Sequence, residues 1–304
     1  MSVLIGGGTG FVGRHLSKLL KDKGYKAIAV SRKPGKERVT WADVKKNGLP
    51  EDCKAVVSLS GRLVLEPFKR LDDAYLKDLY DSRIEPTKIL ANAVSEAKQP
   101  PQAFVTISGV GFYPPSEKTS YTEDSEGGSD WLAKLSREWE AASTLPDTVS
   151  TRRVIVRSGV VLGPDGGMIK QLLPVPLAVY LPMLPIGSGK QWFPWIHVRD
   201  IAGIIAYAIE NDRVTGVLNG VAPQHVNNDD FTKSFCKAFK KMSYGPLFVP
   251  GLAMNLVYGQ DRAMMVLQGQ KVKPERTLEM GYEYCHPDID SAMHDISKAF
   301  LKGN

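Results

Sequence analysis

The turn at the start of the chain constrains the fold more than any other feature of the sequence. Residues 2–5 form a short apolar run that is typical of a buried strand, and Gly7, Gly10 and Gly13 follow at three-residue spacing. The apolar side chains of the helix predicted next share one stripe and are Val12, Leu16, Leu19 and Leu20. Glycines in this pattern permit a tight turn and a close approach of pyrophosphate, while the helix N-terminus offers free N–H groups to phosphate. The pattern predicts a dinucleotide site, with a purely structural turn as the alternative.

Apolar runs alternate with helical patterns along the following part of the chain. Strands are predicted at residues 26–30, 55–59, 103–107 and 154–161, and helices at residues 76–97 and 131–142. Apolar strands that alternate with helices indicate a parallel sheet covered on both faces, so the predicted fold class is α/β, a Rossmann doubly wound parallel sheet.

After residue 163 the alternation loosens into a stretch rich in proline and glycine, and it resumes only at residues 196–210 and 216–219. We therefore predict two units. Residues 1–163 with 196–220 would form the dinucleotide-binding Rossmann domain, and residues 164–195 with 221–304 a smaller, discontinuous C-terminal α/β lobe that contributes the substrate side.

The positive charge of the chain is concentrated at its N-terminal end. Residues 1–50 hold eleven basic and three acidic side chains, a net charge of +8, whereas the remaining 254 residues sum to −2. A nucleic-acid binder usually spreads its basic charge in arrays with aromatic side chains between them, so this distribution argues against a nucleic-acid partner. We expect most of these cations to form a solvated surface.

The residues after the second predicted strand bear on the choice of dinucleotide. An NAD-binding chain usually carries an acid here for the ribose hydroxyls, but this chain continues with Ser31, Arg32 and Lys33, and its first acid is Glu37. Arg32 can form a charge-assisted fork onto a 2′-phosphate, and Ser31 can donate a hydrogen bond to it. The sequence therefore predicts NADP(H) rather than NAD(H) as the cofactor.

Cysteine content and apolar segments bear on the compartment. The three cysteines, Cys53, Cys236 and Cys285, are far apart, which argues against disulfides and a zinc site and favours a reducing intracellular compartment, the cytoplasm or the mitochondrion. No presequence is expected ahead of the first strand. The longest apolar stretch, residues 172–186, has 15 residues with four prolines, whereas a membrane span needs about 20 apolar residues. We predict a connector that lines a pocket or core, with a membrane-surface or partner contact as the alternative.

The glycine turn together with residues 193–200 (FPWIHVRD) resembles the extended short-chain dehydrogenases. Further segments are similar to one atypical branch, the epimerase family proteins that carry their own C-terminal domain, and the resemblance runs from residue 1 to about 300. These segments are residues 31–34, 81–83, 156–163, 218–223, 267–272 and 281–284. The chain departs from the branch at Ser58, where Asn is usual. It departs again at residues 178–185, which replace a glycine-rich run, so a reshaped substrate lid is expected.

The resemblance implies a set of cofactor-binding positions. The pyrophosphate turn would comprise Gly7, Gly10, Phe11, Val12 and Gly13, and the 2′-phosphate site Ser31 and Arg32. The segment that passes the adenine side would be Leu59, Ser60 and Gly61. Relatives reach the cofactor from the helix position that Arg83 occupies, and Val160 matches the strand end beside the nicotinamide.

The proton relay of short-chain dehydrogenases is missing from the sequence. That relay pairs a Tyr with a Lys four residues later and uses a Ser or Thr to orient the substrate carbonyl. None of the eleven tyrosines has a lysine at this spacing. The corresponding positions fall near Leu132 and Ser136, with Gly109 in place of the Ser or Thr. We therefore assign no catalytic residue from the sequence.

Other polar residues near the expected site are candidates, namely Ser108, Tyr113, Glu123, Asp124 and Lys134. Ser108 and Tyr113 could form an acid pair, but a packed tyrosine with a satisfied hydroxyl is the favoured interpretation. His197 could be a base, although a packed, hydrogen-bonded histidine is favoured. Asp200 is interpreted as the anchor of a helix N-terminus.

Two functions are compatible with these features. The favoured one is an NADP(H)-binding oxidoreductase or epimerase-like protein that acts on an unidentified small molecule without the Ser-Tyr-Lys relay. The alternative is a catalytically silent NADPH-binding sensor or scaffold. No metal site and no membrane span are predicted, and the sequence does not indicate an oligomeric state.

Overall fold

The structure is a computed structural model that describes residues 1–66, 69–172, 183–241 and 247–303. Its strands are β1 (Ser2–Gly6), β2 (Lys26–Ser31), β3 (Arg38–Thr40), β4 (Cys53–Ser58), β5 (Ala103–Gly109), β6 (Ser120–Tyr121), β7 (Arg152–Ser158), β8 (Val160–Gly163), β9 (Trp195–His197), β10 (Gly216–Gly220) and β11 (Lys271–Val272). Its helices are α1 (Phe11–Asp22), α2 (Trp41–Asn47), α3 (Asp73–Ser95), α4 (Trp131–Ala141), α5 (Gly167–Leu172), α6 (Val198–Glu210), α7 (Asn228–Ala238), α8 (Gly251–Tyr258), α9 (Gln260–Leu267), α10 (Glu275–Glu279) and α11 (Ile289–Gly303).

Within the described residues, seven parallel strands form the central sheet in the order β10-β7-β5-β4-β1-β2-β3. β1 pairs with β2 on one side and β4 on the other, so the order reverses direction beside the glycine turn that follows β1. Ligands of open α/β sheets bind at the carboxyl ends of the strands at such a reversal. The predicted Rossmann doubly wound parallel sheet is confirmed.

Helices cover both faces of this sheet. Because side chains alternate along a strand, Val3 and Ile5 of β1 pack with α1 and α6, whereas Leu4 packs with α2 and α3. The predicted stripe of α1 is confirmed, since Leu16 and Leu20 are fully buried in the first of these two cores. The remaining stripe residues, Val12 and Leu19, pack half-buried against it.

The predicted strand at residues 154–161 is wrong in one respect, because it is interrupted at Gly159. β7 stays in the central sheet, whereas β8 leaves it to pair with β9. A Cβ atom at Gly159 would lie 2.6 Å from the carbonyl oxygen of Pro194, so only glycine allows the two segments to approach this closely. The periodicity of the sequence does not reveal the break, because both halves are apolar.

The short elements β3 and α2 were not predicted from the sequence. α2 begins with a capping box in which the Asp43 N–H donates to the Thr40 hydroxyl (3.1 Å) and the Thr40 N–H donates to the Asp43 carboxylate (2.8 Å). β3 adds an edge strand beside β2, and the exposed loop between the two strands carries Arg32.

A further apolar cluster joins α5, α7 and α11 to β9, and it includes Trp195, Phe231, Phe235 and Met293. The predicted connector at residues 172–186 lies outside the described residues, apart from Leu172 and residues 183–186. In the part of the chain that the structure describes, no helix combines the length and apolar character needed to cross a membrane.

Candidate functional site

The glycine turn after β1 is built so that backbone, and not side chains, faces the open end of the sheet. Gly7 has φ of 74°, and a Cβ atom there would lie 2.9 Å from the backbone of Leu59. A Cβ atom at Gly13 would lie 2.4 Å from the Gly7 carbonyl oxygen. The first N–H groups of any helix lack intrahelical acceptors, and at α1 the N-cap Gly10 has no side chain to accept from them. This cradle fits a phosphate group.

The end of β2 lies next to this turn, because Val30 pairs with Gly6 in the parallel register of β1 and β2. Arg32 follows directly and is exposed, and the Ser31 hydroxyl donates to the Lys33 carbonyl oxygen at 2.5 Å. The nearest acid in sequence, Glu37, is engaged with Lys21 at 2.5 Å. Arg32 is therefore an exposed cation close to the glycine turn, and the acid that follows it in sequence is paired with Lys21.

The end of β4 contributes the third part of the site. The Leu59 N–H donates to the Gly6 carbonyl oxygen at 2.9 Å, which holds this segment against the glycine turn. A Cβ atom at Gly61 would lie 3.2 Å from the Arg83 guanidinium, so the loop passes directly over that side chain. Ser60, between Leu59 and Gly61 in sequence, is half-buried.

Arg83 itself is buried beneath this loop. Its guanidinium donates to the carbonyl oxygens of Arg62 (2.6 Å) and Leu79 (3.1 Å) and lies over the Trp139 ring at 5.1 Å. Burial lowers the pKa of Arg83 to about 10, because the charged guanidinium loses its hydration. In this structure Arg83 supports the backbone after residue 59.

Phe11, Val12 and Val160 connect the turn to β8. The Phe11 ring packs on the loop after β8, since a Cβ atom at Gly166 would lie 2.3 Å from it. Val12 packs half-buried on the core beneath α1. Val160 is half-buried at the start of β8, and its N–H donates to the Pro194 carbonyl oxygen at 2.8 Å. Of the residues predicted from the resemblance, Gly13 and Arg83 are buried, and the others are exposed or half-buried.

The positions of the missing proton relay lie on α4 and at the end of β5. The Ser136 hydroxyl donates to the Leu132 carbonyl oxygen at 2.9 Å, one turn back on the same helix. The Leu132 side chain packs over Gly111, where a Cβ atom would lie 2.5 Å from it. These positions therefore contribute packing rather than an exposed hydroxyl.

Ser108 belongs to a buried polar network that spans β5, α4 and β7. Its hydroxyl donates to the Glu140 carboxylate at 2.8 Å. The same carboxylate receives a two-pronged contact from Arg157, at 2.9 and 3.0 Å. Because all three side chains are buried, each charge is balanced inside the protein and not by solvent.

Tyr113 extends this network to β10. Its hydroxyl accepts from Arg157 at 3.0 Å and donates to the Asn219 side-chain oxygen at 2.8 Å. The side chain is fully buried, and burial raises the pKa of the Tyr113 phenol even though the Arg157 charge acts in the opposite direction. Tyr113 is therefore a packed tyrosine with a satisfied hydroxyl, the interpretation that the sequence favoured. We refer to Ser108, Glu140, Arg157, Tyr113 and Asn219 as the polar network.

The other acidic candidates are held by backbone or surface partners. Glu123 is buried and accepts from the backbone N–H groups of Asn219 (2.9 Å) and Arg276 (3.2 Å). Asp124 pairs with the Arg276 side chain at 2.6 Å. Lys134 is exposed on α4. The structure thus links Ser108 to Tyr113 through Glu140 and Arg157.

His197 takes the helix-capping role that the sequence suggested for Asp200. The N-cap of α6 is His197, whose Nδ1 accepts from the Arg199 N–H at 3.2 Å, so the predicted helix anchor at Asp200 is wrong. Asp200 lies inside the first turn and accepts from the N–H groups of Cys285 (2.7 Å) and His286 (3.0 Å). It therefore ties the segment before α11 to α6. His197 is fully buried, and burial lowers its pKa to about 3.

Glu140, Arg157 and Asn219 were not predicted to be site residues. A usable signal existed at Arg157, which is a charge that directly follows the apolar run 154–156 and so requires a buried partner. Its partner Glu140 is 17 residues away in sequence on a different element, and no local spacing links the two. None of the three cysteines forms a disulfide in the structure.

Comparison with known proteins places these features in a family. The NAD dependent epimerase/dehydratase family matches residues 3–221, and the Domain of unknown function (DUF1731) matches residues 249–296. The Epimerase family protein SDR39U1 of Bos taurus is 47% identical over 97% of this chain and 99% of its own length. The Homo sapiens protein of the same name is 46% identical over 97% and 99%.

Solved structures agree with this assignment. The crystal structure of human epimerase family protein SDR39U1 (isoform2) with NADPH matches with a TM-score of 0.93 at 45% identity, covering 98% of this chain and 99% of that chain. A UDP-N-acetylglucosamine 4-epimerase from Bacillus cereus, with a TM-score of 0.73 at 15% identity, shares the fold. The chain described here therefore belongs to the NAD dependent epimerase/dehydratase family and carries a C-terminal DUF1731 segment.

Proposed function

We propose that this chain binds NADP(H) at the carboxyl edge of its central sheet and uses it as an oxidoreductase on a small molecule. In this proposal Gly7, Gly10, Phe11, Val12 and Gly13 hold the pyrophosphate through backbone N–H groups. Ser31 and Arg32 hold the 2′-phosphate. The adenine side is lined by Leu59, Ser60 and Gly61 over Arg83, and Val160 lies on the nicotinamide side.

The observation that carries the proposal is the pairing of an uncapped helix N-terminus with an exposed arginine at the neighbouring strand end. The fit is independent of the family, because the glycines leave no room for a Cβ atom and so expose backbone donors. The human SDR39U1 structure with NADPH, at 45% identity, supports NADP(H) over NAD(H) for this chain. When bound, the cofactor would supply the hydride.

The substrate side is proposed to come from the discontinuous lobe of residues 164–195 and 221–304. A shallow surface cleft lies next to the carboxyl end of β10 and includes Trp192, His225 and Lys271 in its lining. The Lys271 ammonium lies over the Trp192 ring at 4.7 Å. An aromatic wall with a nearby cation suits a flat or anionic group.

The cofactor assignment is tested by titrating NADPH and NADH with the wild-type chain and with Arg32→Ala. A charge-assisted hydrogen bond contributes about 1.5–3 kcal/mol, so NADPH should bind roughly 10- to 150-fold more weakly to the variant while NADH changes little. Lys46→Ala removes an equal charge from α2 and serves as the matched control. Equal affinity of the wild-type chain for the two cofactors would contradict the proposal.

A second candidate is a catalytically silent NADPH-binding sensor or scaffold. It is favoured by one observation, namely that Ser108 and Tyr113 are both buried and occupied by protein partners. The two candidates are separated by single-turnover oxidation of bound NADPH with a panel of carbonyl compounds, in the wild-type chain, Ser108→Ala and Tyr113→Phe. Oxidation that both variants retain would indicate an oxidoreductase that works without these hydroxyls, whereas oxidation with no carbonyl would favour the silent function.

A further inference from the structure

Three side chains that are distant in sequence meet at the N-terminus of α6. His197 comes from the end of β9, His286 from the segment before α11, and Asp295 from α11 itself. The Nε2 atom of His197 lies 3.5 Å from Oδ2 of Asp295, and the two imidazole rings are 4.0 Å apart at their centroids. One ligand atom from each residue lies within 4.8 Å of the others.

The two imidazoles carry polar atoms that the protein leaves unsatisfied. Nε2 of His197 and Nε2 of His286 are both shielded from solvent, and neither has a hydrogen-bond partner in residues 1–66, 69–172, 183–241 and 247–303. Buried polar atoms are nearly always partnered, so two such atoms that face one carboxylate require an explanation. A bound cation would satisfy both.

We propose that His197, His286 and Asp295 form a binding site for a divalent transition-metal ion. Two imidazoles and one carboxylate are a ligand set that first-row ions such as Zn²⁺ accept. Ligand bonds of about 2.0–2.1 Å place the ligand atoms about 3.3 Å apart in a tetrahedral site, close to the observed 3.5 Å between His197 and Asp295. Asp295 is partly exposed, which leaves room for water as a further ligand.

The surrounding groups orient the ligands and set the affinity. Asp200 fixes the backbone at His286 by accepting its N–H at 3.0 Å, and so holds the second imidazole in place. The Arg199 guanidinium lies 3.6 Å from Oδ1 of Asp295 and competes with the metal for that carboxylate. Because the Arg199 side chain is 61% exposed, it can move away.

Binding also requires a change at His197. Its Nδ1 accepts from the Arg199 N–H, which leaves the ring proton on Nε2 in the metal-free state. Coordination through Nε2 moves this proton to Nδ1 and releases the cap bond, so no net proton is lost. Metal binding would therefore change the hydrogen bonding at the N-terminus of α6 and hold α11 against α6.

The proposal is tested on the full chain, without a polyhistidine tag, by titration with Zn²⁺ in a calorimeter and with Co²⁺ in visible absorption. We expect one equivalent to bind and Co²⁺ to develop ligand-field bands. His286→Ala and Asp295→Asn should each weaken binding at least about 10-fold. Arg199→Ala should tighten it, because the competing charge is removed. His197 is left unchanged, since its replacement also removes a helix cap.

Two control variants lie beside the site and outside the ligand set. His294→Ala removes an exposed imidazole next to Asp295, and Cys285→Ser removes an exposed thiol next to His286. Both should bind Zn²⁺ as the wild-type chain does. The proposal is overturned if His286→Ala and Asp295→Asn bind as tightly as the wild type, or if either control loses the metal equally, because the binding would then be adventitious.

Discussion

The glycine turn and the polar network occupy the same edge of one sheet, yet they are built in opposite ways. The turn between Gly7 and Gly13 exposes backbone donors, and Arg32 beside it is exposed. In the polar network every hydroxyl and charge named above meets another protein group at 2.8–3.0 Å. A ligand can therefore bind at the turn without breaking an interaction, whereas at the network it must first replace protein partners.

The difference follows from the residue types that each region uses. Glycine has no side chain, so the backbone N–H groups of the turn stay accessible to solvent. Glu140 and Arg157 are buried charges of opposite sign, and each must be neutralised by the other because solvent does not reach them. One region is thus suited to recognition, and the other stabilises the junction of β5, β7, β10 and α4.

The largest expected effect comes from removing one member of the buried ion pair. Arg157→Met leaves the Glu140 carboxylate buried and unpaired, which should lower the free energy of unfolding by about 3–5 kcal/mol. Chemical denaturation measures this. The double variant Arg157→Met with Glu140→Leu should recover a large part of the loss. A single variant as stable as the wild type would show that the network does not stabilise the fold.

An intermediate effect is expected at the turn. In Gly13→Ala the new Cβ atom would meet the Gly7 carbonyl oxygen at 2.4 Å, and backbone cannot move aside as a side chain can. We expect the free energy of unfolding to fall by roughly 1–3 kcal/mol and NADPH affinity to fall with it.

Gly109→Ala is the matched control at the other end of the edge. A Cβ atom there meets only the Gly111 nitrogen, at 3.8 Å, so the fold should tolerate the change. Equal losses of stability in the two variants would remove the distinction between the turn and the rest of the edge.

The smallest effect is expected at the phenol that links the network to β10. Tyr113→Phe keeps the ring but removes the hydroxyl that bonds to Arg157 and Asn219. Stability should fall by about 1–2 kcal/mol, because both partners stay buried, while NADPH affinity should not change. A variant with normal stability but weakened NADPH binding would place Tyr113 with the turn instead.

Local patterns predicted the parts of the molecule that depend on neighbours in sequence. The strand, turn and helix of the first 22 residues follow from the spacing of apolar residues and glycines. The lack of an acid directly after β2 is read from the sequence itself. The break at Gly159 was missed because it depends on Pro194, which packs against it from elsewhere in the chain. Similarly, Asp200 was assigned to its own helix because its true partners, Cys285 and His286, follow 85 and 86 residues later.

The sequence by itself determined the doubly wound α/β fold and the chemistry of the turn, because periodicity and glycine spacing act over a few residues. Only the tertiary structure decided which polar side chains are buried and paired with other protein groups. Ser108, Glu140 and Arg157 lie on three separate elements, and His197, His286 and Asp295 come from β9, the segment before α11, and α11. Burial and pairing arise when distant segments pack together, and no local pattern records that event.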